Sequence, residues 1–189
     1  VDAIRGAGDI AEQAFDVHIP LLSLPTVLGT TLETIPCVVP YLRVPDGGRR
    51  TADGGPWTAD GRLRVGIAWA GSPTQGNDRN RSARLADFAP LFEIPGIEWH
   101  SLQVGEKAEE IRDQRSAVGG QRSAVSGRGV DIRDWRTEIR DWADTAAVVS
   151  QLDLVISVDT GVVHLAGALG VPAWVLLCYA PDWRWLLER

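Results

Sequence analysis

Residues 154–170 read LVISVDTGVVHLAGALG, and this stretch carries the clearest structural signal in the chain. Its first five residues are apolar apart from Ser157 and include β-branched Val155, Ile156 and Val158, which is typical of a buried strand. A helix is predicted from about Val162 to Leu169, because Gly170 is a residue that commonly ends helices. A buried strand that leads directly into a helix is the repeating unit of parallel α/β sheets.

The same alternation continues on both sides of this stretch. Further strands are predicted at residues 64–69, 97–102 and 173–177, and helical apolar spacing is found at residues 85–91. Asp144 and Thr145 are predicted to cap a helix that runs through Leu152. Alternating strands and helices favour a parallel sheet with right-handed crossovers. We therefore predict an α/β, Rossmann-like domain over residues 63–189.

The remainder of the chain lacks this alternation of strands and helices. Residues 1–45 resemble the tail of another unit, and residues 46–62 have the Gly, Pro and Asp content of a linker. Between residues 112 and 142, the sequences QRSAV and IRDW each occur twice, seven residues apart. We interpret this segment as a duplicated insertion in a surface loop, since long loops accept insertions at small entropic cost.

Composition excludes several classes of protein. The chain has 189 residues, 44% hydrophobic and 23% charged, which is typical of a soluble globular protein. A net charge of -6 gives no support for a nucleic-acid partner. No apolar run reaches the ~18 residues of a transmembrane segment, and no secretory signal is visible. Cys37 and Cys178 lack metal-ligand spacing. We expect a cytoplasmic protein without metal or cofactor. The absence of methionine and the start at Val1 predict a fragment or a processed chain.

The first candidate site is Asp159-Thr160-Gly161, followed by His164. Ligands of open α/β sheets bind at the carboxyl ends of strands, and the first turn of a helix offers unpaired N–H groups to a phosphate. Gly161 allows a close backbone approach, Thr160 can donate its hydroxyl, and His164 lies one turn further on the same side. Asp159 has the wrong charge for a phosphate, so we expect it to cap the helix or to orient His164 or a sugar hydroxyl. A plain helix cap is the alternative.

The second candidate site is the loop from Ala70 to Ser82, which also follows a predicted strand. It offers glycine, hydroxyl groups and the two arginines Arg79 and Arg81. The planar guanidinium group pairs well with pyrophosphate oxygens. A solvated polar loop would have a similar composition, and only the position after the strand favours a site.

Together these motifs resemble glycosyltransferase family 9. Residues 159–170 are similar along their whole length to the family's D-T-G-x-x-H-L-A-x-A-L-G signature. That family includes ADP-heptose:lipopolysaccharide heptosyltransferases and bacterial proteins that carry such a domain behind tetratricopeptide repeats. Residues 69–71, 77–82 and 180–185 look like the repeat-bearing subgroup, and residues 20–25 with 29–31 resemble the join between its two halves.

The resemblance implies the C-terminal half of a GT-B fold with a remnant of the N-terminal half at residues 1–45. It implies an inverting hexosyl- or heptosyltransferase-like enzyme that binds an ADP- or UDP-linked sugar, with the acceptor left open. The implied donor and phosphate contacts are Ser72, Arg81, Thr160, Gly161 and His164. The implied supporting residues are Gly71, Asp78, Arg79, Ser82, Asp159, and Gln103 and Glu106 for ribose or sugar hydroxyls.

The resemblance also places the catalytic base in the other half of the fold. We therefore expect this chain to bind a donor without transferring the sugar. The alternative is a non-catalytic nucleotide-binding or interaction domain of a repeat-containing protein, because fold does not fix function.

Overall fold

A computed structural model describes residues 18–35, 37–44, 61–112 and 131–185. They divide into two units, one up to Val38 and one from Val39 onward. In the first unit a 3₁₀ turn at Leu21–Ser23 continues into helix α1, Leu24–Val27. The boundary between the two units lies at residues 38 and 39, earlier than the end of the first segment that we expected at residue 45. Residues 39–44 belong with the second unit, where the N–H groups of Tyr41 and Leu42 both donate to the carbonyl of Ala168.

The second unit is built on one parallel sheet of five strands in the order β3-β2-β1-β4-β5. The strands are β1 (Leu63–Ala68), β2 (Ile97–Ser101), β3 (Ile132–Asp134), β4 (Leu154–Val158) and β5 (Ala173–Leu176). Every neighbouring pair is parallel. The α/β, Rossmann-like fold predicted from the sequence is therefore confirmed.

Helices connect these strands. They are α2 (Asp78–Arg81), α3 (Ala89–Phe92), α4 (Trp142–Val149) and α5 (Gly161–Ala168), with 3₁₀ turns at Leu85–Phe88, Glu106–Glu109 and Trp183–Trp185. Helix α5 ends as predicted, because Gly170 adopts a φ of 73°. Helix α4 begins earlier than predicted. Asp141 is its N-cap and accepts a hydrogen bond of 2.9 Å from the N–H of Asp144.

The segment expected to be an inserted loop, residues 112–142, contributes strand β3. Ile132 is buried in the core and pairs in register with Trp99 of β2. The two copies of IRDW adopt different structures, since the first forms β3 and the second leads into α4. The two copies of QRSAV lie outside the described residues. The expectation of a loop is thus corrected for the part around Ile132.

The apolar core lies on both faces of the sheet. Val65 and Ile67 of β1 belong to a cluster with Trp99 and Phe88, while Ala68 belongs to a second cluster with Val155. Alternate residues of a strand point to opposite faces, so the two clusters cover opposite sides. These faces hold the strands rigidly, and the loops at the carboxyl ends of the strands start from fixed positions.

His100 is a buried polar residue on β2. Its Nδ1 accepts a hydrogen bond of 3.0 Å from the Trp135 indole, and the Arg133 guanidinium lies 3.7 Å from the centre of the Trp135 ring. Burial lowers the pKa of His100 below its ordinary 6.5, against the opposing influence of Glu98. The further charges that act on this pKa are those of Arg133, Arg64 and Asp153. The imidazole is therefore held neutral in the folded chain.

We predict that Gly66→Ala destabilises the second unit. A Cβ at this position of β1 would lie 2.5 Å from Leu152 Cδ1 and 2.8 Å from Leu102 Cδ1, both in buried side chains. Overpacking of this kind costs about 1–3 kcal/mol of unfolding free energy, measured by chemical denaturation. Gly76→Ala is the control, because Gly76 is exposed with open space around it. Equal stability of the two variants would contradict the packing of β1.

We predict that the unfolding free energy of the wild-type chain decreases relative to that of the His100→Asn variant as the pH falls. The folded pKa lies below the unfolded value, so the unfolded chain takes up the proton first. Wild-type stability is unaffected by this group above pH 6.5 and decreases below it. The measurement is the difference in unfolding free energy between the two proteins from pH 7.5 to 5.5. A difference that stays constant would show that His100 is not buried neutral.

Candidate functional site

Two loops meet at the carboxyl edge of the sheet, as the sequence predicted. The first, residues 69–82, follows β1, and the second, Asp159 with Thr160, follows the neighbouring strand β4. Arg81 Nη1 donates a hydrogen bond of 2.7 Å to the carbonyl oxygen of Asp159. This bond joins the two loops directly, across 78 positions of sequence.

The first loop is held by a chain of polar contacts. Asp78 Oδ1 accepts from Ser82 Oγ at 2.9 Å and lies 3.3 Å from Arg81 Nε. Ser82 Oγ in turn accepts from the N–H of Gly71 at 3.0 Å. A Cβ on Gly71 would overlap both the Arg81 guanidinium and the Asp78 carboxylate. The loop therefore needs glycine at residue 71 to make room for this ion pair.

Gln103, two residues after the end of β2, supports the same loop. It is buried, and its Oε1 accepts from the N–H groups of Trp69 at 3.0 Å and Ala70 at 2.9 Å. Its Nε2 donates to the carbonyls of Ala70 and Val104, both at 3.1 Å. Two donated and two accepted bonds use the whole capacity of a side-chain amide. In the folded chain Gln103 therefore contacts the backbone of the loop, whereas the resemblance implied a ribose or sugar hydroxyl as its partner.

The second loop leads into the first turn of α5. Thr160 is the N-cap residue in an extended conformation, and its hydroxyl lies 3.2 Å from Ser157 Oγ rather than capping the helix. Asp159 does not cap the helix either. Its Oδ1 lies 3.8 Å from His164 Nε2, so the two side chains are neighbours beyond hydrogen-bond distance, and the orienting task suggested by the sequence stays a prediction. Helix α5 begins three residues after the end of β4, so its first N–H groups, which have no partners within the helix, lie at this end of the strand.

Two tryptophans border this turn, and the sequence did not single them out as site residues. The Trp185 ring stacks on His164, with ring centres 5.2 Å apart at 17°. The Trp142 ring lies so close to Gly161 that a Cβ there would be 2.5 Å from Trp142 Cη2. Glycine at residue 161 therefore leaves room for this aromatic neighbour. Trp142 is the first residue of α4, and helices that leave a parallel sheet begin at its carboxyl edge, so its place could have been found from the sequence.

The remaining candidates are less tightly placed. Ser72 is exposed, with its hydroxyl 2.8 Å from that of Thr74, and Arg79 is exposed on α2. Glu106 is exposed and begins the 3₁₀ turn after β2, one strand further from β4 than the loop after β1. In the part of the chain that the structure describes, no three His, Cys, Asp or Glu side chains are grouped so that they could hold a metal ion.

Residues 141–181 match glycosyltransferase family 9 (heptosyltransferase). The matched segment contains α4, β4, the Asp159–Thr160 loop, α5 and β5, which is the β4 side of the site. It supports the family that the motif resembles. No curated protein and no solved structure matches the chain. Among the described residues, none of the helices has the length and apolar character needed to cross a membrane.

We predict that Gly161→Ala and Trp142→Ala are energetically coupled. Alanine at residue 161 overlaps the Trp142 ring in the wild-type background and meets no ring in the Trp142→Ala background. A double-mutant cycle on unfolding free energy should give a coupling of about 0.5–3 kcal/mol. Gly167→Ala on the same helix is the control, since a Cβ there meets nothing within 4 Å. If the changes in unfolding free energy caused by the two substitutions were simply additive, the contact between Trp142 and residue 161 would be contradicted.

Proposed function

We propose that the second unit binds a nucleotide-diphosphate sugar and serves as the donor-binding part of a glycosyltransferase. One observation carries the proposal: the family 9 match falls on the strand, loop and helix that form the β4 side of the site. The ligand position would be the edge between the loop after β1 and the first turn of α5. Ligands of open α/β sheets bind at this edge, and helix N-termini favour phosphate.

The diphosphate would lie against the start of α5. Thr160 contributes a hydroxyl that is not used to cap the helix, and Gly161 contributes a backbone N–H at the first helical position. Ser72 in the facing loop adds an exposed hydroxyl. These groups are donors of the kind that bind phosphate oxygens without a metal ion.

His164 is the candidate contact to the sugar or to its linking phosphate. Its side chain is 51% exposed, although Trp185 covers one ring face and the Asp159 carboxylate lies 3.8 Å from Nε2. A carboxylate neighbour and a stacked indole fix the orientation of an imidazole while leaving part of it free for a ligand. This arrangement supports a positioning task for Asp159 that acts through His164.

The chemistry would be a single displacement at the anomeric carbon, with the nucleotide diphosphate as leaving group. Negative charge grows on that group in the transition state, and we expect the N–H groups at the start of α5 to stabilise it. The acceptor needs a base. Asp78 is engaged by Arg81 and Ser82, and Asp159 faces His164. We assign the base to neither of them, and expect donor binding without useful transfer by these residues alone.

We predict that Thr160→Ala weakens binding of nucleotide diphosphates by about 1–3 kcal/mol, because a charge-assisted hydrogen bond to phosphate is lost. The measurement is calorimetric titration with ADP, UDP, GDP and their sugar derivatives. Thr137→Ala, at an exposed turn residue, is the matched control and should bind like the wild type.

Two outcomes would count against this proposal. Unchanged affinity in a folded Thr160→Ala variant would remove Thr160 from the site. A folded wild-type chain that binds none of these nucleotides would overturn the donor-binding function. Robust sugar transfer by the purified chain to a lipid or peptide acceptor would show instead that a base lies within it, with Asp78 and Asp159 the first to test.

A further inference from the structure

We infer that Arg81 is a positioning residue, which fastens the loop after β4 to the loop after β1 and so aims the first turn of α5. It does this in place of the direct phosphate contact that the resemblance implies. The inference rests on the proposed function for its effect on donor binding. The contact itself is independent of any ligand.

Two of the three nitrogens of the guanidinium group are engaged by polar groups of the protein. Nη1 donates to the carbonyl of Asp159 at 2.7 Å, and Nε lies 3.3 Å from Asp78 Oδ1. Nη2 lies against the backbone of Gly71, where even a methyl group could not be added. Only 16% of the Arg81 side chain is exposed. A guanidinium that serves as a phosphate ligand presents two parallel N–H groups to the ligand, and here two nitrogens are already engaged by the protein.

The charge of Arg81 is also matched. Asp78 is 15% exposed and lies within 3.3 Å, so the two side chains form a nearly neutral pair at the edge of the site. A phosphate that approached Arg81 would meet the Asp78 carboxylate as well, and like charges in a partly buried site repel. The pair therefore provides geometry rather than net positive charge.

The bond to Asp159 has a specific structural effect. The Asp159 carbonyl belongs to the peptide group whose N–H is that of Thr160, the N-cap of α5. A peptide group is planar, so a hydrogen bond that fixes its carbonyl also fixes the direction of its N–H. A charge-assisted bond is about twice as strong as a neutral one. Arg81 thus holds the peptide that opens the helix, while Asp78, Ser82 and Gly71 anchor Arg81 to the first loop.

Substitution of Asp78 distinguishes a phosphate-binding role of Arg81 from a positioning role. If Arg81 binds phosphate directly, Asp78→Ala removes a negative charge beside the ligand and leaves Arg81 free, so nucleotide-diphosphate binding becomes tighter. If Arg81 is a positioning residue, Asp78→Ala removes the carboxylate that holds its guanidinium group in place, and binding weakens by at least about fivefold. Asp78→Asn keeps the Oδ1 acceptor used by both Ser82 and Arg81, and should restore binding close to the wild type.

A second measurement needs no ligand. Arg81→Lys keeps the charge and loses the planar fork, so hydrogen exchange of the amides at residues 163–166, which are the first in α5 to have hydrogen-bond partners within the helix, should become faster in the free chain. Arg79→Lys on the same helix is the matched control and should leave this exchange unchanged. If Arg81→Lys fails to fold, Asp78→Ala is used in the same exchange experiment, because it removes the anchor of Arg81 from the other side.

Each outcome of these experiments supports or contradicts the positioning role of Arg81. Weakened binding in Asp78→Ala, rescue in Asp78→Asn and faster exchange in Arg81→Lys support the positioning task. Tighter binding in Asp78→Ala, or unchanged exchange in Arg81→Lys, overturns it. If the wild-type chain binds no nucleotide diphosphate, the proposed function fails, and the exchange measurement still decides whether Arg81 holds the Asp159 loop.

Discussion

Parallel pairing of β1 with β4 is the constraint on which the site depends. Ile67 lies opposite Ile156 and Ala68 opposite Ser157, so both strands end at the same edge of the sheet. Adjacent strands are about 4.8 Å apart, which places the two following loops within reach of one arginine side chain. The apolar clusters on the two faces hold this pairing in register. Without this pairing, the Arg81 guanidinium group would not lie within hydrogen-bond distance of the Asp159 carbonyl.

Three glycines of the second unit are determined by their neighbours rather than by backbone conformation. Gly66 is enclosed by leucine side chains, Gly71 by the Arg81–Asp78 pair and Gly161 by the Trp142 ring. Gly170 differs, because its positive φ ends α5. The first three lie in β1 or at the carboxyl edge of the sheet, so this edge is packed closely. Close packing restricts the loops to one arrangement, and a site that must aim several N–H groups at one ligand benefits from that restriction.

The sequence predicted the strands with strong apolar patterns and missed features that only tertiary contacts define. Strands β1, β4 and β5 are visible as largely apolar runs, and β2 has apolar residues at alternate positions, Ile97 and Trp99. Strand β3 has a single apolar residue, Ile132, and becomes a strand by pairing with β2. The duplicated IRDW shows that local sequence does not determine secondary structure here. The copy at residues 132–135 contains strand β3, whereas the copy at residues 139–142 leads into helix α4. The position of each candidate loop directly after a strand was enough to predict that the two loops share one edge of the sheet, where Arg81 bonds to the Asp159 carbonyl. The task of Gln103 could not be read from its residue type, since its partners are backbone groups of Trp69 and Ala70.

The charge balance of the edge limits what phosphate contacts alone can contribute. The Arg81 charge is paired with Asp78, and the start of a helix offers only about half of an elementary charge. A diphosphate carries more negative charge than this, so tight donor binding would require contributions from the nucleoside and the sugar. The surfaces available for them beside the turn are aromatic: the Trp142 ring, which is 61% exposed, and the His164–Trp185 stack. Flat rings bind bases and sugars through area and shape, and depend little on charge. In such a site the helix N-terminus would fix where the phosphates lie, the polar network would fix the helix, and most of the discrimination between donors would fall to the aromatic side chains around them.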